Sequence, residues 1–363
     1  MVSYQCGIHT VCFSLTKQGY AAIQGIINEA YKKKYQITKQ SDKFGLDNTY
    51  HVDQYADQGI RVTIKQTCSH PGYVKLIVSP GSLISQEYNP IRLYQATDTE
   101  WKTMNKRFRR LISIKGLPDS LEQYAITRVD VTMDLYLETH EEVMEWVRIF
   151  KKSMKSPRYQ LHEFTKKTAN DPKEANRHSC EYCTSTSRKN KSKFKYSKQP
   201  ETAFKAYDKF FEVNDSDILD KPVLRLELSL SRQSLIKKLH LKTNVDNKEL
   251  LWEAASNSTQ LICKYLKRNM FINGEILTYN AAMERIDNST KLKSKFKEDM
   301  KEMVRKCSDS DSLYNALQKI GNSKRQDALL KQFKKIGISP VTLTGRSALE
   351  ELPGIMGFLN DCD

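Results

Sequence analysis

Three segments of the chain pair charged or nucleophilic side chains at a spacing of two residues. They are Arg128–Asp130, which continues to Asp134, Tyr207–Lys209, and Arg225–Glu227. On a β-strand, residues two apart lie on the same face of the sheet. In the third segment a leucine occupies every second position from 224 to 230. We therefore expect the leucines to be buried and Glu227 to point away from them.

If these strands are neighbours, three carboxylates (Asp130, Asp134 and Glu227) come together beside Tyr207 and Lys209. Clustered carboxylates raise each other's pKa unless a cation lies among them, and their hard oxygens suit Mg²⁺ or Mn²⁺. A metal there would polarise a phosphate, and a tyrosine phenolate can attack phosphorus to give a 5′-phosphotyrosine. Lys209 would stabilise the phenolate or the developing charge. The alternative is a set of ordinary salt-bridge pairs on a solvated sheet face.

The elements that carry these residues interleave strands and helices. Period-two polarity predicts strands at 6–15, 59–67, 72–79, 126–137, 178–186, 202–212 and 222–231. Apolar residues at helical spacing predict helices at 100–113, 139–153, 246–268, 291–306, 311–320 and 324–336. Capping boxes are expected at Thr139 with Glu142 and at Ser323 with Gln326, and Gly337 is expected to end the last helix.

This order predicts an α+β fold in which helices pack on an antiparallel sheet. We assign residues 1–240 to a catalytic, DNA-binding domain and 241–363 to an all-helical domain for origin recognition or self-association. The helix pair 311–320 and 324–336 has a length compatible with a helix-turn-helix.

The charge balance favours a polyanionic partner. Lys and Arg number 59 against 43 Asp and Glu, a formal net charge of +16, and such a field attracts nucleic acid. No amphipathic helix with a long apolar face indicates a membrane surface, and no apolar run is long enough to span a bilayer. The N-terminus lacks the pattern of a secretory signal. We therefore expect a cytoplasmic protein whose eight cysteines are reduced thiols.

The most basic stretch, 187–198, alternates cations with aromatic rings. Cations for phosphates and aromatic faces for bases are the composition of a single-strand binding platform, and a solvated loop is the alternative. Its candidate DNA-binding residues are Arg188, Lys189, Lys191, Lys193, Phe194, Lys195 and Tyr196. Cys180 and Cys183, with His178 nearby, lack the second ligand pair that structural zinc usually needs.

The three motifs occur in an order that resembles the rolling-circle replication initiators, of the filamentous-phage gene II endonuclease and plasmid replication initiation factor type. The resemblance covers roughly residues 70–240 and extends to Val78–Leu83 and Ser231–Ile236, with a fainter echo near Phe333. The motifs are Arg128-Val129-Asp130, Ala206-Tyr207-Asp208-Lys209 and Leu224-Arg225-Leu226-Glu227.

The resemblance implies a ferredoxin-like or nicking-endonuclease-like fold and a DNA nicking and strand-transfer activity, with Tyr207 as nucleophile. It implies Mg²⁺ or Mn²⁺ held by Asp130, Asp134 and Glu227. The chain lacks the His-hydrophobic-His signature of the better-known nicking fold, and His162 is the nearby substitute. Arg128 and Arg225 join the DNA-binding set.

The implied partners are single-stranded and supercoiled double-stranded DNA at a phage or plasmid replication origin, with a host helicase and a second copy of the chain as further candidates. Three other functions remain open on the sequence. A conjugative relaxase would use the same chemistry in another setting. A non-catalytic DNA-binding regulator or an RNA-binding protein would use the basic surface alone.

Overall fold

A computed structural model of the chain describes residues 3–42, 46–85, 88–155, 159–162, 171–184, 202–213, 220–309 and 312–358. Within these ranges the structure is α+β and contains a large antiparallel sheet. The predicted α+β class is confirmed at this level. The part from residue 241 onward is not all-helical as predicted, because Ile276–Leu277 and Glu351–Leu352 form a two-stranded sheet there. None of the described helices has the length and apolar composition that crossing a bilayer requires.

The strands are Ser3–Gln18 (β1), Ile37–Ser41 (β2), Asp47–Val52 (β3), Ile60–Thr67 (β4), Gly72–Val78 (β5), Ala125–Tyr136 (β6), Tyr159–His162 (β7), Ser179–Thr184 (β8), Thr202–Asp208 (β9), Val223–Ser231 (β10), Ile276–Leu277 (β11) and Glu351–Leu352 (β12). All seven predicted strands are present. The one predicted over 202–212 stops at Asp208, where a helix begins.

The helices are Tyr20–Lys32 (α1), Pro80–Ser85 (α2), Asp98–Leu111 (α3), His140–Lys152 (α4), Pro172–His178 (α5), Lys209–Val213 (α6), Arg232–Leu239 (α7), Asn247–Ser256 (α8), Ser258–Asn269 (α9), Tyr279–Asp287 (α10), Ser294–Asp309 (α11), Leu313–Gln318 (α12), Ser323–Ile336 (α13) and Ile355–Phe358 (α14). The helix predicted over 246–268 is two helices, α8 and α9, that meet at Asn257.

The chain divides into two compact units, and each takes more than one segment of the sequence. The tyrosine unit, so named for Tyr207, comprises Met1–Gln5, Met133–Leu228 and Thr259–Asp363. The amino-terminal unit comprises Cys6–Thr132 and Ser229–Ser258. This division differs from the predicted one at residue 240, because it falls within β6 and within β10 and gives both units interleaved segments.

In the amino-terminal unit the strands are ordered β2-β3-β4-β5-β1-β6. β4 and β5 form an antiparallel pair in which Ile60 lies opposite Val78, and β5 pairs antiparallel with β1. Every second residue of β4 and β5 is buried from Ile60 and Val74 onward, the pattern of strands covered on one face. Helix α1 covers them through its buried stripe of Ile23, Ile26, Ile27 and Ala30.

In the tyrosine unit the order is β6-β10-β9-β8-β7. Helix α4 packs on β8 and β9, and its Phe150 lies 5.6 Å from Phe204 of β9, measured between ring centroids. Tyr265 of α9 stacks on the same ring at 5.1 Å. Phe204 therefore marks the helix-covered face, and Tyr207, three residues on, belongs to the other face of β9.

The helix ends test the predicted caps. The capping box of α4 is confirmed, because Thr139 accepts from the Glu142 backbone and the Glu142 side chain bonds back to it. At α13 the prediction is wrong. Asn322 is the N-cap, and Gln326 donates instead to the carbonyls of Leu317 and Gly321. Gly337 ends α13 with φ of 73°, as expected.

The expectation of eight reduced thiols is wrong, because Cys263 is disulfide-bonded. Cysteines 6, 12, 68, 180, 183 and 307 are free thiols. Burial raises the pKa of the Cys183 thiol to about 11, and the nearby carboxylate of Glu181 adds to the shift.

Candidate active site

Strand β10 carries two charged residues into the interior. The leucines at 224, 226, 228 and 230 are buried, as the alternation predicted. On the opposite face, however, Arg225 is 0% exposed and Glu227 is 5% exposed. The interpretation of these two residues as salt-bridge partners on a solvated face is therefore wrong. Burying charge is costly unless it is paired, so the partners of each residue matter.

Asp134 is the partner of Arg225. The guanidinium donates from Nε to Oδ1 and from Nη2 to Oδ2, both at 2.6 Å, and neither side chain is exposed. Gln5 adds a donor at 3.3 Å from Oδ2. Burial alone would lower the pKa of Arg225, but the Asp134 carboxylate outweighs it, and the pKa is raised. This two-point pair fixes β6 and β10 side by side within the tyrosine unit.

Glu227 is hydrogen-bonded to the candidate nucleophile. The Tyr207 hydroxyl donates to Oε1 of Glu227 at 2.7 Å. Burial, and then the Glu227 charge, raise the pKa of Tyr207 well above its usual value, while Arg225 acts in the opposite direction. The phenol is therefore protonated at neutral pH, and the carboxylate is already in place to receive its proton.

Lys209, at the start of α6, lies behind this pair. It is 1% exposed, forms an ion pair with Glu212 one turn along the helix, and holds its ammonium 5.9 Å from the centroid of the Tyr207 ring. Burial, together with the Arg225 charge, lowers the pKa of Lys209. The spacing of Tyr207 and Lys209 predicted that they would share a strand face; instead the strand ends between them.

Asp208 causes that change of structure. Its Oδ1 accepts from the backbone N–H groups of Phe210 and Phe211 at 3.0 and 3.2 Å, which is how a cap begins a helix. Its other oxygen, Oδ2, lies 3.2 Å from Nδ1 of His178. Glu212 was not predicted, and His178 was considered only with Cys180 and Cys183 as a zinc ligand. Glu212 follows Lys209 at helical spacing, which would have paired the two if a helix had been expected there.

The Tyr207 face continues across β8. Ser179 is opposite Tyr207 and Glu181 is opposite Lys205, and the latter pair has its charged atoms 3.9 Å apart. Cys183 lies two residues beyond Glu181, with its sulfur 3.7 Å from the carboxylate. Cys180 faces the other way and is 1% exposed, so the two cysteines do not point to a common ligand.

Several predicted residues lie elsewhere. Asp130 and Arg128 belong to the amino-terminal unit, where they form an ion pair at 2.9 Å. The backbone of His162 is in β7, opposite Glu181, but its side chain lies outside what the structure describes. The whole basic stretch also falls outside the described residues, including Arg188, Lys189, Lys191, Lys193, Phe194, Lys195 and Tyr196.

Two of the residues expected to hold Mg²⁺ or Mn²⁺ already use carboxylate oxygens in other bonds. Both oxygens of Asp134 accept from Arg225, and Oε1 of Glu227 accepts from Tyr207. In the described part of the chain, no three His, Cys, Asp or Glu side chains are grouped to hold a metal. The arrangement of Tyr207 and Glu227 is suited instead to moving a proton from the phenol to the carboxylate.

Comparison of the chain with protein-family models, with curated proteins and with solved structures returns no match in any of the three. The resemblance to replication initiators therefore rests on the motifs alone.

Proposed function

We propose that this chain is a rolling-circle replication initiator that nicks one DNA strand at an origin through a 5′-phosphotyrosine and then rejoins it. The observation that carries the proposal is the 2.7 Å hydrogen bond from Tyr207 to Glu227. A phenol is a weak nucleophile until a base takes its proton, and a nucleophile within hydrogen-bond reach of a base is the arrangement that covalent catalysis requires.

In the nicking step the Tyr207 Oη–H bond breaks, and its proton moves to the carboxylate of Glu227. The phenolate oxygen forms a bond to phosphorus, and the bond between phosphorus and the 3′ oxygen breaks. The 3′ oxygen leaves with the electron pair and takes a proton from water. Rejoining reverses each transfer, with the 3′ hydroxyl as nucleophile and Tyr207 as leaving group.

Two cations support this step. Arg225 is held by Asp134 and lowers the free energy of the phenolate through its charge, as its opposing effect on the pKa of Tyr207 indicates. Lys209 lies on the Tyr207 ring and is placed to stabilise negative charge as it develops. Both are buried, and charges act more strongly there than in water.

The proposal extends to the partners and the setting of the protein. The partners would be single-stranded and supercoiled double-stranded origin DNA, drawn by the net charge of +16, with a host helicase and self-association as further candidates. The catalytic fold would be of the nicking-endonuclease type, and the protein would act in the cytoplasm. Arg128, whose side chain is 28% exposed, is accessible to a phosphate; Arg225, fully buried, would act through its field.

The test is a nicking assay on supercoiled plasmid. Tyr207→Phe removes the hydroxyl, so it should bind DNA normally and give neither open circles nor a covalent adduct by mass spectrometry. Tyr73→Phe, an exposed tyrosine of β5, is the matched control and should form both. A fully active Tyr207→Phe would overturn the proposal, and Tyr182 or Tyr196 would become the next candidates.

The burial of the cluster favours a second candidate. Arg225 and Asp134 are inaccessible and paired, as structural core residues are, and this would suit a DNA-binding regulator without catalysis. The same assay separates the two functions: a regulator binds the plasmid and leaves it supercoiled whether residue 207 is Tyr or Phe.

A further inference from the structure

A cleft in the tyrosine unit lies apart from the Tyr207 hydroxyl and has no part in the nicking step. It has a volume of about 640 Å³ and lies between α4, α5 and the segment 344–347. This is within the range of small-ligand sites, roughly 300–1,000 Å³. Six cationic or imidazole side chains line it: His140, Arg148, Lys151, Arg177, His178 and Arg346.

The two acidic residues of the cleft anchor its wall. Glu145 accepts from the Thr344 hydroxyl at 2.9 Å and pairs with Arg148 at 2.9 Å. Glu141 accepts from the Ser347 hydroxyl and the Ala348 N–H at 3.0 and 2.6 Å. These bonds tie the segment that carries Arg346 to α4. The carboxylates are therefore occupied by the wall of the cleft, and so is Arg148, which donates to Glu145 and to the Thr342 carbonyl.

Two arginines that line the cleft, Arg177 of α5 and Arg346, are available to a ligand. Arg177 is 65% exposed, and its only ion pair within the described residues is with Glu174, at 3.9 Å. Arg346 is exposed and makes no ion pair among the described residues. The exposed ion pair between Arg177 and Glu174, at 3.9 Å, contributes little to stability and leaves Arg177 able to bind a ligand. Two exposed guanidiniums that line one cleft suit a phosphate, which accepts their paired hydrogen bonds.

The two histidines are held in place by the helix that follows Tyr207. His178 stacks on Phe211 with centroids 4.0 Å apart and planes 5° apart, and His140 meets the edge of Phe210 at 4.5 Å. His178 also lies between Asp208 and Glu174. The cleft is thus joined to the end of β9 by packed side chains.

We propose that this cleft binds a phosphate group, supplied either by a nucleic-acid strand or by a free nucleotide. Arg177 and Arg346 are the residues that hold it, and the fixed rings of His140 and His178 form the floor. The site goes beyond the proposed nicking activity and does not depend on it.

The test follows the NMR signals of His140 and His178, the two histidines that line the cleft. With histidine labelled at the ring ε1 carbon, inorganic phosphate, thymidine 5′-monophosphate and a 5′-phosphorylated pentathymidylate are each titrated into the full chain without divalent metal. Variants of each histidine assign the signals. Those of His140 and His178 should shift and saturate, whereas His240 in the amino-terminal unit should not move.

The double variant Arg177→Ala with Arg346→Ala should bind the same probe at least about tenfold more weakly. Arg268→Ala, an exposed arginine of α9, is the control and should bind as the unmodified chain does. A mononucleotide as tight as the pentanucleotide identifies a nucleotide as the source, and a tighter pentanucleotide identifies a strand.

The proposal is overturned if none of the three probes moves His140 and His178, or if the double variant shows an unchanged midpoint. The thermal unfolding of the double variant confirms that it is folded. Since no strand is cut in this experiment, failure here leaves the Tyr207 proposal intact, and an active Tyr207→Phe leaves the cleft intact.

Discussion

Arg225 reaches Asp134 through two hydrogen bonds of 2.6 Å while both side chains are completely shielded from solvent. A buried pair of this kind is neutral as a unit, and each member depends on the other. The stability of the tyrosine unit should therefore respond very differently to losing one partner and to losing both.

Arg225→Met should destabilise the protein by about 3–5 kcal/mol, because it leaves the Asp134 carboxylate buried without its cation. Replacing both, with Arg225→Met and Asp134→Leu, should recover most of that loss, because no charge then remains inside. Denaturant unfolding followed by circular dichroism measures both. If the free energy of unfolding of Arg225→Met lay within about 1 kcal/mol of that of the unmodified chain, as for surface substitutions, the structural role of the pair would be contradicted.

Glu227→Gln should change the dependence of nicking on pH. Because burial and the Glu227 charge raise the pKa of Tyr207 above its usual value of about 10, phenolate is scarce at neutral pH. Without the carboxylate the rate should rise about tenfold per pH unit from pH 6 to 9, as the phenolate fraction does. The unmodified chain, in which Glu227 takes the proton, should depend less steeply on pH over this range. Parallel profiles for the two proteins would show that Glu227 does not take the proton.

Lys209→Gln keeps a hydrogen-bond donor and removes the charge beside the Tyr207 ring. If that charge stabilises the attacking oxygen, nicking should slow by about 10²-fold, a size typical of removing one group that stabilises a transition state, while DNA binding is retained. Lys205→Gln is the matched control on the same strand, 40% exposed and paired with Glu181. Equal effects at the two positions would remove Lys209 from the mechanism.

The divalent metal implied by the family resemblance can be tested by removal. EDTA should stop nicking, and Mg²⁺ or Mn²⁺ should restore it. The readout is again conversion of supercoiled plasmid to open circles. Cleavage that continues in EDTA would contradict the metal prediction. The role of Glu227 would then be to accept the Tyr207 proton.

Neutralising Lys189, Lys191, Lys193 and Lys195 to alanine should weaken binding to all DNA sequences. It should also flatten the salt dependence by about 0.7 in log–log slope for each single-strand phosphate that the protein no longer neutralises. Removing the rings of Phe194 and Tyr196 should instead cost about 1–3 kcal/mol per stacked base with little change in slope. Fluorescence anisotropy at several salt concentrations separates the two. If the quadruple lysine variant kept the DNA affinity and the salt dependence of the unmodified chain, the basic stretch would be a solvated loop.

The sequence predicted the elements far better than it predicted their partners. Alternation over 224–230 was enough to orient β10, and Thr139 with Glu142 marked the start of α4. The same alternation suggested a polar face in water, because one strand does not reveal what covers it. The Arg225–Asp134 pair links residues 91 apart in sequence, and nothing local specifies that pairing.

Other elements were missed for local reasons. β2 exposes four of its five residues, so it has little hydrophobic alternation to detect. At β9 a continuous strand was expected through Lys209, and the side chain of Asp208 ends it by accepting from the next backbone N–H groups. A cap competes with strand pairing, and an aspartate in a strand pattern could have signalled the competition.

Because the segments of the two units alternate along the chain, the two units are completed at different times during synthesis. The amino-terminal unit has all of its residues once Ser258 has left the ribosome, but the tyrosine unit also needs Thr259 onward. Tyr207, Glu227 and Arg225 are therefore made well before the helices that complete their unit. Because a domain folds as a unit once its chain is available, Tyr207 should gain its structured surroundings only after the segment that begins at Thr259 has left the ribosome.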